Sequence, residues 1–183
     1  MKPTEILVDE HDIIKRAIKV LEAVDRRFEA GDDSVAAAYP PLIDFIREFA
    51  DRCHHGKEED ILFKLLERRG MPRMGPIGVM MIEHDHGRDF VQKLSEATDR
   101  FMDGDSAARI DVTKNADGYA SLLKGHIDKE NGILYPMADN MLSQADQIEL
   151  AAQFDGVEEE IGRGRHQEYE RLIDDLERRF GSV

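Results

Sequence analysis

The amino-acid sequence predicts an all-α fold in which two helical hairpins pack against each other. Glycine and proline divide the 183 residues into long segments whose apolar residues recur at helical spacing. No segment alternates apolar and polar residues for long enough to predict a strand. A pattern of His-x-x-x-Glu followed by an apolar turn occurs twice, about 70 residues apart, which is too long a period for a solenoid. Each repeat therefore corresponds to one helical hairpin.

Turn residues set the expected ends of the four bundle helices. The first helix should stop at Gly31, and the second begins at a proline pair, which suits a first helical turn. Glycine and proline residues between 70 and 76 connect the second helix to the third, and Ser106 can cap the fourth. The expected helices run from about Thr4 to Ala30, from Pro40 to Arg69, from Ile77 to Met102, and from just after Ser106 to Met141.

Two further amphipathic segments follow the fourth helix. They run from Ser143 to about Gly162 and from Arg165 to Phe180, and we expect them to pack outside the bundle. The predicted domains are therefore a bundle over residues 1–142 and a C-terminal helical extension over residues 143–183. Such an extension suits a covering layer or an oligomer contact, for example in a homodimer, better than a second active site.

Charge and composition argue against several classes of partner. The formal net charge is −14, so neither nucleic-acid phosphates nor an anionic lipid surface would attract this chain at long range. No apolar stretch reaches membrane-spanning length, and no basic start precedes an early apolar stretch. The single cysteine, Cys53, cannot form an internal disulfide. We therefore expect a cytoplasmic protein that binds neither nucleic acid nor membrane.

The repeated motif puts an imidazole and a carboxylate on one face of a helix. In the first repeat these side chains are His54 and Glu58. In the second repeat they are His126 and Glu130. Residues four apart lie one helical turn above each other, so both side chains can reach a single point. A second shared element, Glu-His-Asp, precedes each motif at positions 10–12 and 83–85.

The helical register predicts that histidines from all four helices face one core. His11 and His84 occupy apolar stripes at matching offsets on the first and third helices. The predicted inward stripe of the fourth helix is Leu122, His126, Glu130, Ile133 and Met137, and that of the second is Ala50, His54, Glu58, Ile61 and Leu65. Two ionised carboxylates are unfavourable in such a core unless they are paired or bound to a metal.

The predicted metal site consists of six side chains: His11, His54, Glu58, His84, His126 and Glu130. Imidazole and carboxylate ligands suit iron, manganese or zinc, whereas calcium and magnesium take oxygen ligands. Six ligands are too many for one tetrahedral zinc. They suit two iron ions that each take two histidines, with both glutamates bridging. The alternative is a hydrogen-bonded polar core without metal, which the repetition in helical register disfavours.

These motifs resemble those of the hemerythrin-like family, the HHE type of cation-binding domain. The resemblance covers residues 10–136 and rests on both Glu-His-Asp elements, both His-x-x-x-Glu motifs and the Ile-Leu-aromatic turn after each. It implies an up-down-up-down four-helix bundle that holds a non-haem di-iron centre, with zinc or manganese as substitutes. Ferritin-like di-iron proteins differ, because their helices carry Glu-x-x-His and a site richer in glutamate.

Two positions depart from the oxygen-carrying hemerythrins that this chain resembles. Those carriers have a fifth histidine one turn after the third-helix histidine, where this chain has Arg88. They also have an aspartate five residues after the last motif histidine, where this chain has Glu130 at four. The resemblance therefore implies an iron centre with more open positions, which reacts with oxygen, peroxide or nitric oxide more readily than it stores oxygen.

Two other histidines compete for a place in the site. His55 and Glu59 form a shifted His-x-x-x-Glu pair, but the second repeat has isoleucine and asparagine at these positions, which favours the unshifted pair. His86 is two residues from His84, which is about 200° of rotation on a straight helix. We therefore expect His86 to be exposed and His55 not to be a ligand.

Tyr119 and Cys53 each have a functional and a structural interpretation. Tyr119 precedes His126 on the same stripe, so its hydroxyl is a candidate for contact with a bound ligand. The alternative is a core aromatic side chain with a satisfied hydroxyl. Cys53 adjoins His54, and a buried, inert thiol is favoured over a redox-active one.

The predicted function is binding of oxygen or a related small ligand, such as peroxide or nitric oxide, for sensing, scavenging or local supply. A rival hypothesis is an enzyme that reduces peroxide or nitric oxide, or that handles iron for the repair of iron centres. No general acid or substrate pocket is evident and any redox partner is unidentified, so the sequence favours binding over dedicated catalysis. A metal that is structural, or whose occupancy reports iron availability, is a third hypothesis.

Overall fold

The computed structural model describes residues 1–162 and 164–181, and every regular element within them is a helix. The all-α prediction is confirmed. Helix α1 is Pro3–Glu29, α3 is Pro76–Met102, α5 is Gln144–Ile161 and α6 is Arg165–Phe180. Helix α2 is the continuous run of Tyr39–Phe45, Ile46–His55, Glu58–Leu62 and Phe63–Arg68, and α4 is the run of Arg109–Lys129, Glu130–Leu134 and Tyr135–Met141. Short 3-10 turns, Asp33–Ala38 and Ser106–Ala108, precede α2 and α4.

The helix ends follow the turn residues of the sequence. Proline occupies the first turn of α1, α2 and α3, where the missing N–H leaves no helical hydrogen bond unmade. Gly31, Gly70 and Gly104, with φ of 96°, 102° and 102°, lie just beyond the ends of α1, α2 and α3. Ser143 and Asp146 form a capping box at the start of α5.

Segments of π-helix interrupt α2 and α4 at the repeated motifs. They are Ile46–His55 and Glu58–Leu62 in α2, and Glu130–Leu134 in α4. A π turn closes i→i+5 hydrogen bonds, so it holds more residues than an α turn and changes which side chains face inward beyond it. Such turns occur frequently at functional sites, and these coincide with the predicted ligands.

The π segment of α4 makes part of the predicted inward stripe wrong. Ile133 and Met137, expected in the core, are 53% and 41% exposed. Leu134 and Ala138 are buried in their place. The predicted stripe follows the period of an α-helix. The π segment Glu130–Leu134 holds about one extra residue in its turn, so each later inward position falls one residue further along the chain.

Two apolar clusters fill the bundle, and the predicted metal site lies between them along the helices. On α1, for example, Leu7 belongs to the smaller cluster and Ile14 to the larger one, with His11 between. Helices α5 and α6 contribute Leu150 and Ile173, among others, to these clusters. Three residues of the predicted 143–183 extension, at positions 163, 182 and 183, lie outside the described residues. No described helix combines the length and apolarity that a membrane span requires.

Candidate metal centre

The structure brings all six predicted ligands together in the middle of the bundle. Each is buried, with at most 1% of its surface exposed. Helix α1 supplies His11 and α3 supplies His84, while α2 and α4 each supply the histidine and glutamate of a repeated motif. Four helices therefore converge on one site, as the register predicts.

The Nε2 atoms of the four predicted histidines point toward the two glutamates. Glu130 Oε2 lies 3.2 Å from Nε2 of both His11 and His126. Glu58 Oε2 lies 3.4 Å from His84 Nε2 and 3.7 Å from His54 Nε2. The Nε2 atoms of His84 and His126 are 3.1 Å apart. Donor atoms from both repeats thus surround one small volume.

Despite these short distances, several of the donor atoms make no hydrogen bond of acceptable geometry within the described residues. They are His54 Nε2, Glu58 Oε2 and both carboxylate oxygens of Glu130, and all are buried. A buried carboxylate oxygen without a partner destabilises the protein by about 1–3 kcal/mol or more, because its solvation is lost without replacement. A cation among these atoms would remove that penalty. The donor set therefore fits a metal ion.

The Nδ1 atom of each of the four histidines points away from the donor cluster and contacts a polar side chain, which holds the ring from behind. His54 contacts Glu10 at 2.8 Å, His84 contacts Glu59 at 2.7 Å, His126 contacts Glu83 at 3.0 Å and His11 contacts Asn131 at 2.8 Å. A partner that accepts from Nδ1–H fixes the tautomer and orients the ring, which leaves Nε2 as the ligand nitrogen. This is the usual outer shell of a metal-binding histidine.

Burial and the neighbouring carboxylates act in opposite directions on the histidine pKa values. Burial lowers the pKa of His84, but Glu58 and Glu59 outweigh it and raise that pKa to about 10. At His54 burial dominates, so its pKa is well below the ordinary value. Burial raises the pKa of Glu130, but the imidazoles of His11 and His126 hold it below its ordinary range. A metal ion would take the place of the His84 proton, so metal binding should release protons.

His55 also joins the site, although the sequence favoured its neighbour. It is buried, and its ring stacks on that of His84 with centroids 3.8 Å apart and planes at 17°. Its donor nitrogen lies within 4.8 Å of donor atoms of Glu58, His84 and His126. The remaining donors form a second group of His11, His54 and Glu130. Glu59, the other member of the shifted pair, holds His84 from behind instead.

The structure places Tyr135 beside the carboxylates, a position that the sequence analysis did not foresee. Its ring stacks on His11 at a centroid distance of 5.5 Å, and its hydroxyl donates to Glu58 Oε1 at 2.7 Å. The Tyr119 hydroxyl is buried and has no hydrogen-bond partner among the described residues, so the alternative of a satisfied core hydroxyl is not met there. Tyr119 lines a pocket next to the site.

That pocket has a volume of about 470 Å³ and reaches His55 and His84. Arg88, which stands where the carriers have a fifth histidine, lines it as well. The Arg88 guanidinium contacts Asp51 Oδ1 at 2.8 Å and Glu59 Oε1 at 2.7 Å. Those two carboxylates hold Nδ1 of His55 and His84 respectively, so Arg88 organises the outer shell and is not a ligand.

Two residues behave as their structural interpretations predict. His86 is exposed on α3 and does not face the donors, because two residues correspond to about 200° of helical rotation. Cys53 is buried, and burial raises the pKa of its thiol to about 12. A thiol in this state is neutral and unreactive at physiological pH.

Sequence reasoning missed the residues that hold the ligands from behind. They are Glu10, Glu59, Glu83 and Asn131, together with Asp51 behind His55. Their only signal was position: Glu10 and Glu83 directly precede a predicted ligand in both repeats, so the recurrence of Glu-His-Asp was itself informative.

Comparison with known proteins identifies the family. Residues 2–138 match the family model of the hemerythrin HHE cation binding domain. An uncharacterised protein of Mycobacterium tuberculosis strain H37Rv is 26% identical over 179 residues, which cover 97% of this chain and 69% of that protein. The iron-sulfur cluster repair protein YtfE of Escherichia coli K12 is 30% identical over 133 residues, which cover 69% of this chain and 56% of that protein. Because the family match covers most of its length, this chain belongs to the hemerythrin HHE cation-binding domain family.

Proposed function

We propose that this chain is a non-haem di-iron protein that binds oxygen or a related small ligand. The observation that carries the proposal is the set of buried donor atoms without partners, at His54, Glu58 and Glu130, among imidazoles fixed through their outer nitrogens. Membership of a cation-binding family supports a metal at this site. Mixed imidazole and carboxylate donors suit iron, and also admit zinc or manganese. The proposed scaffold is an up-down-up-down four-helix bundle.

The proposed roles follow from the geometry of the donors. His11 and His54 would hold one iron and His84 and His126 the other, and Glu58 and Glu130 would supply the carboxylate ligands. Two iron ions bound in this way would supply electrons and open positions for oxygen, peroxide or nitric oxide. Tyr135 donates to Glu58 Oε1 at 2.7 Å and so restrains one of these carboxylates.

The pocket at His55 and His84 is the proposed route for the small ligand. Tyr119 lines it, and its hydroxyl is a buried donor with no partner in the part of the chain that the structure describes. A ligand that accepts this hydrogen bond would be held more strongly by about 1 kcal/mol. We therefore expect Tyr119→Phe to shorten the lifetime of the bound ligand and to leave the metal content unchanged.

A second candidate is a di-iron enzyme that reduces peroxide or nitric oxide, or that handles iron for the repair of iron centres. The relative named as an iron-sulfur cluster repair protein favours this candidate. This chain matches only 56% of that relative's length. The proposed enzyme would act with a redox partner that is unidentified. A cytoplasmic location and a possible homodimer belong to both proposals.

Anaerobic loading with ferrous iron, followed by admission of oxygen, separates the hypotheses. Two iron ions per chain and visible bands that appear and reverse with oxygen are expected from a binding protein. Many turnovers with peroxide or nitric oxide would support the enzyme instead. One tightly held zinc ion with no response to iron would contradict both. Glu58→Ala should abolish the response, whereas His86→Ala, a change at an exposed histidine, should leave it intact.

A further inference from the structure

We propose that His55 is a ligand of the metal ion held by Glu58, His84 and His126. This inference rests on the proposed function, because it requires that the site hold metal. It gives the centre five histidines and two glutamates. It also makes the two ions unequal, since one takes three histidines and the other takes two, from His11 and His54.

The position of His55 satisfies the distance condition for a ligand. Its donor nitrogen lies within 4.8 Å of the donor atoms of the other three residues in its group. Two ligands on opposite sides of one ion, with bonds of about 2.1 Å, are about 4.2 Å apart. Ligands at right angles on one ion are closer, about 3.0 Å apart. Because the donor atoms of the group lie within 4.8 Å of one another, their separations are within about 1.8 Å of those that coordination of one ion requires.

The outer contacts of His55 match those of the other four histidines. Its Nδ1 lies 3.2 Å from Asp51 Oδ1, which leaves Nε2 as the free nitrogen. Arg88 in turn contacts Asp51 at 2.8 Å and fixes that carboxylate. If His55 served only to pack against His84, its ring would be sufficient and a carboxylate at Nδ1 would have no role. The arrangement is the one that orients a ligand.

The helix geometry of the two repeats differs at this point. In α2 the π segment Ile46–His55 extends into the motif and ends at His55, the residue after the motif histidine. In α4 the equivalent residue, Ile127, lies in the regular α-helix Arg109–Lys129 and is buried in the larger apolar cluster. Consecutive side chains are closer in rotation on a π-helix than on an α-helix, so His54 and His55 can both face the site. The distortion is therefore present in the repeat that has the second histidine.

The proposal changes the meaning of Arg88. The resemblance to oxygen carriers implied a centre with one histidine too few, because Arg88 replaces the histidine of the third helix. If α2 supplies the fifth histidine, the number of imidazoles is restored and only its origin differs. The ion held by His11 and His54 then has one imidazole fewer than its neighbour.

The number of imidazole ligands can be counted directly in the cobalt-loaded protein. Each histidine bound through Nε2 to a paramagnetic ion gives one strongly shifted, exchangeable Nδ1–H proton resonance. We expect five such resonances from the wild-type chain and four from His55→Phe, which keeps the stacked ring and removes the nitrogen. His86→Phe is the matched control and should retain five. Four resonances in the wild type would overturn the proposal.

Metal affinity provides the second measurement. His55→Phe should weaken binding of one cobalt ion by about 100-fold, because the loss of a ligand has at least the effect of losing an outer-shell partner. Added imidazole should restore the affinity of His55→Gly, where the side chain is absent. If His55→Phe does not fold, as judged by circular dichroism, the wild-type resonance count and the His55→Gly rescue still decide. Unchanged affinity in both variants would contradict the proposal.

The two proposals fail in different ways. A chain that binds two metal ions and responds to oxygen but shows four shifted resonances would contradict the role of His55 alone. A chain that binds no metal, or that binds two ions without any response to oxygen, peroxide or nitric oxide, would contradict the proposed function. If the chain binds two ions without such a response, the resonance count would still show whether His55 is a ligand.

Discussion

The two repeats hold their motif histidines by the same contacts, but at different depths in the protein. In each repeat the glutamate of the Glu-His-Asp element contacts both the motif histidine and the lysine that precedes the motif glutamate. In the first repeat this lysine, Lys57, is fully buried and also contacts Glu158 of α5. In the second repeat Lys129 has a side chain that is 40% exposed. The C-terminal extension therefore encloses one half of a duplicated arrangement and leaves the other half near solvent.

Each repeat also supplies the side chain that contacts Nδ1 of a histidine in the other repeat, and these two side chains differ in charge. The first repeat supplies Glu59 behind His84, and the second supplies Asn131 behind His11. A carboxylate makes the imidazole a stronger ligand than a neutral amide does, because it stabilises positive charge on the ring. If two metal ions bind as proposed, the charge of these outer partners should contribute to a difference in affinity between the two positions. The two halves therefore share the same donor residues but differ in the side chains that surround them.

The largest effect that we predict comes from the difference in burial. Glu10→Ala should destabilise the metal-free protein by about 2–3 kcal/mol, because the fully buried Lys57 loses one of its two carboxylate partners and keeps only Glu158. Both variants also lose a contact to a motif histidine. Beyond that shared loss, Glu83→Ala should destabilise the protein by at most about 1 kcal/mol, because Lys129 reaches water. Urea unfolding of both variants measures the difference. Equal losses would show that enclosure by α5 does not affect the strength of this contact.

The exchange of Glu59 and Asn131 tests the second difference. Glu59→Gln should lower the metal affinity at the His84 position by about 10–100-fold, and Asn131→Asp should raise it at the His11 position. The double variant should reverse the order of the two affinities. Stepwise titration with cobalt under competition by a chelator measures both.

A matched control for this exchange is Asp85→Asn. Asp85 contacts the same arginine as Glu59 but is exposed and does not hold a histidine. It should leave both affinities unchanged. If Asp85→Asn lowers affinity as much as Glu59→Gln, the effect arises from Arg88 and not from the charge behind His84.

The sequence predicted the parts of this site that follow from a regular helical period. His11, His54, Glu58, His84, His126 and Glu130 converge because residues four apart share a face and the four stripes keep the same register. The sequence does not reveal the π segments, so it places Ile133 in the core, where the structure exposes it, and it does not indicate that His55 lies close to the donors. The burial of Lys57 was also beyond reach, since it depends on where α5 lies. Local periodicity was sufficient for the donors, whereas their environment depends on packing between distant segments.

The smallest predicted effect concerns the aromatic residue that ends each motif, which is Phe63 in the first repeat and Tyr135 in the second. Tyr135→Phe should destabilise the protein by about 1 kcal/mol, because Glu58 Oε1 loses the hydroxyl that donates to it at 2.7 Å. Tyr119→Phe is the matched control, since it removes a buried hydroxyl that has no partner and should leave stability unchanged or slightly raised. Thermal unfolding of the metal-free variants measures both. Equal losses in the two variants would assign the effect to packing and not to the hydrogen bond that distinguishes the second repeat.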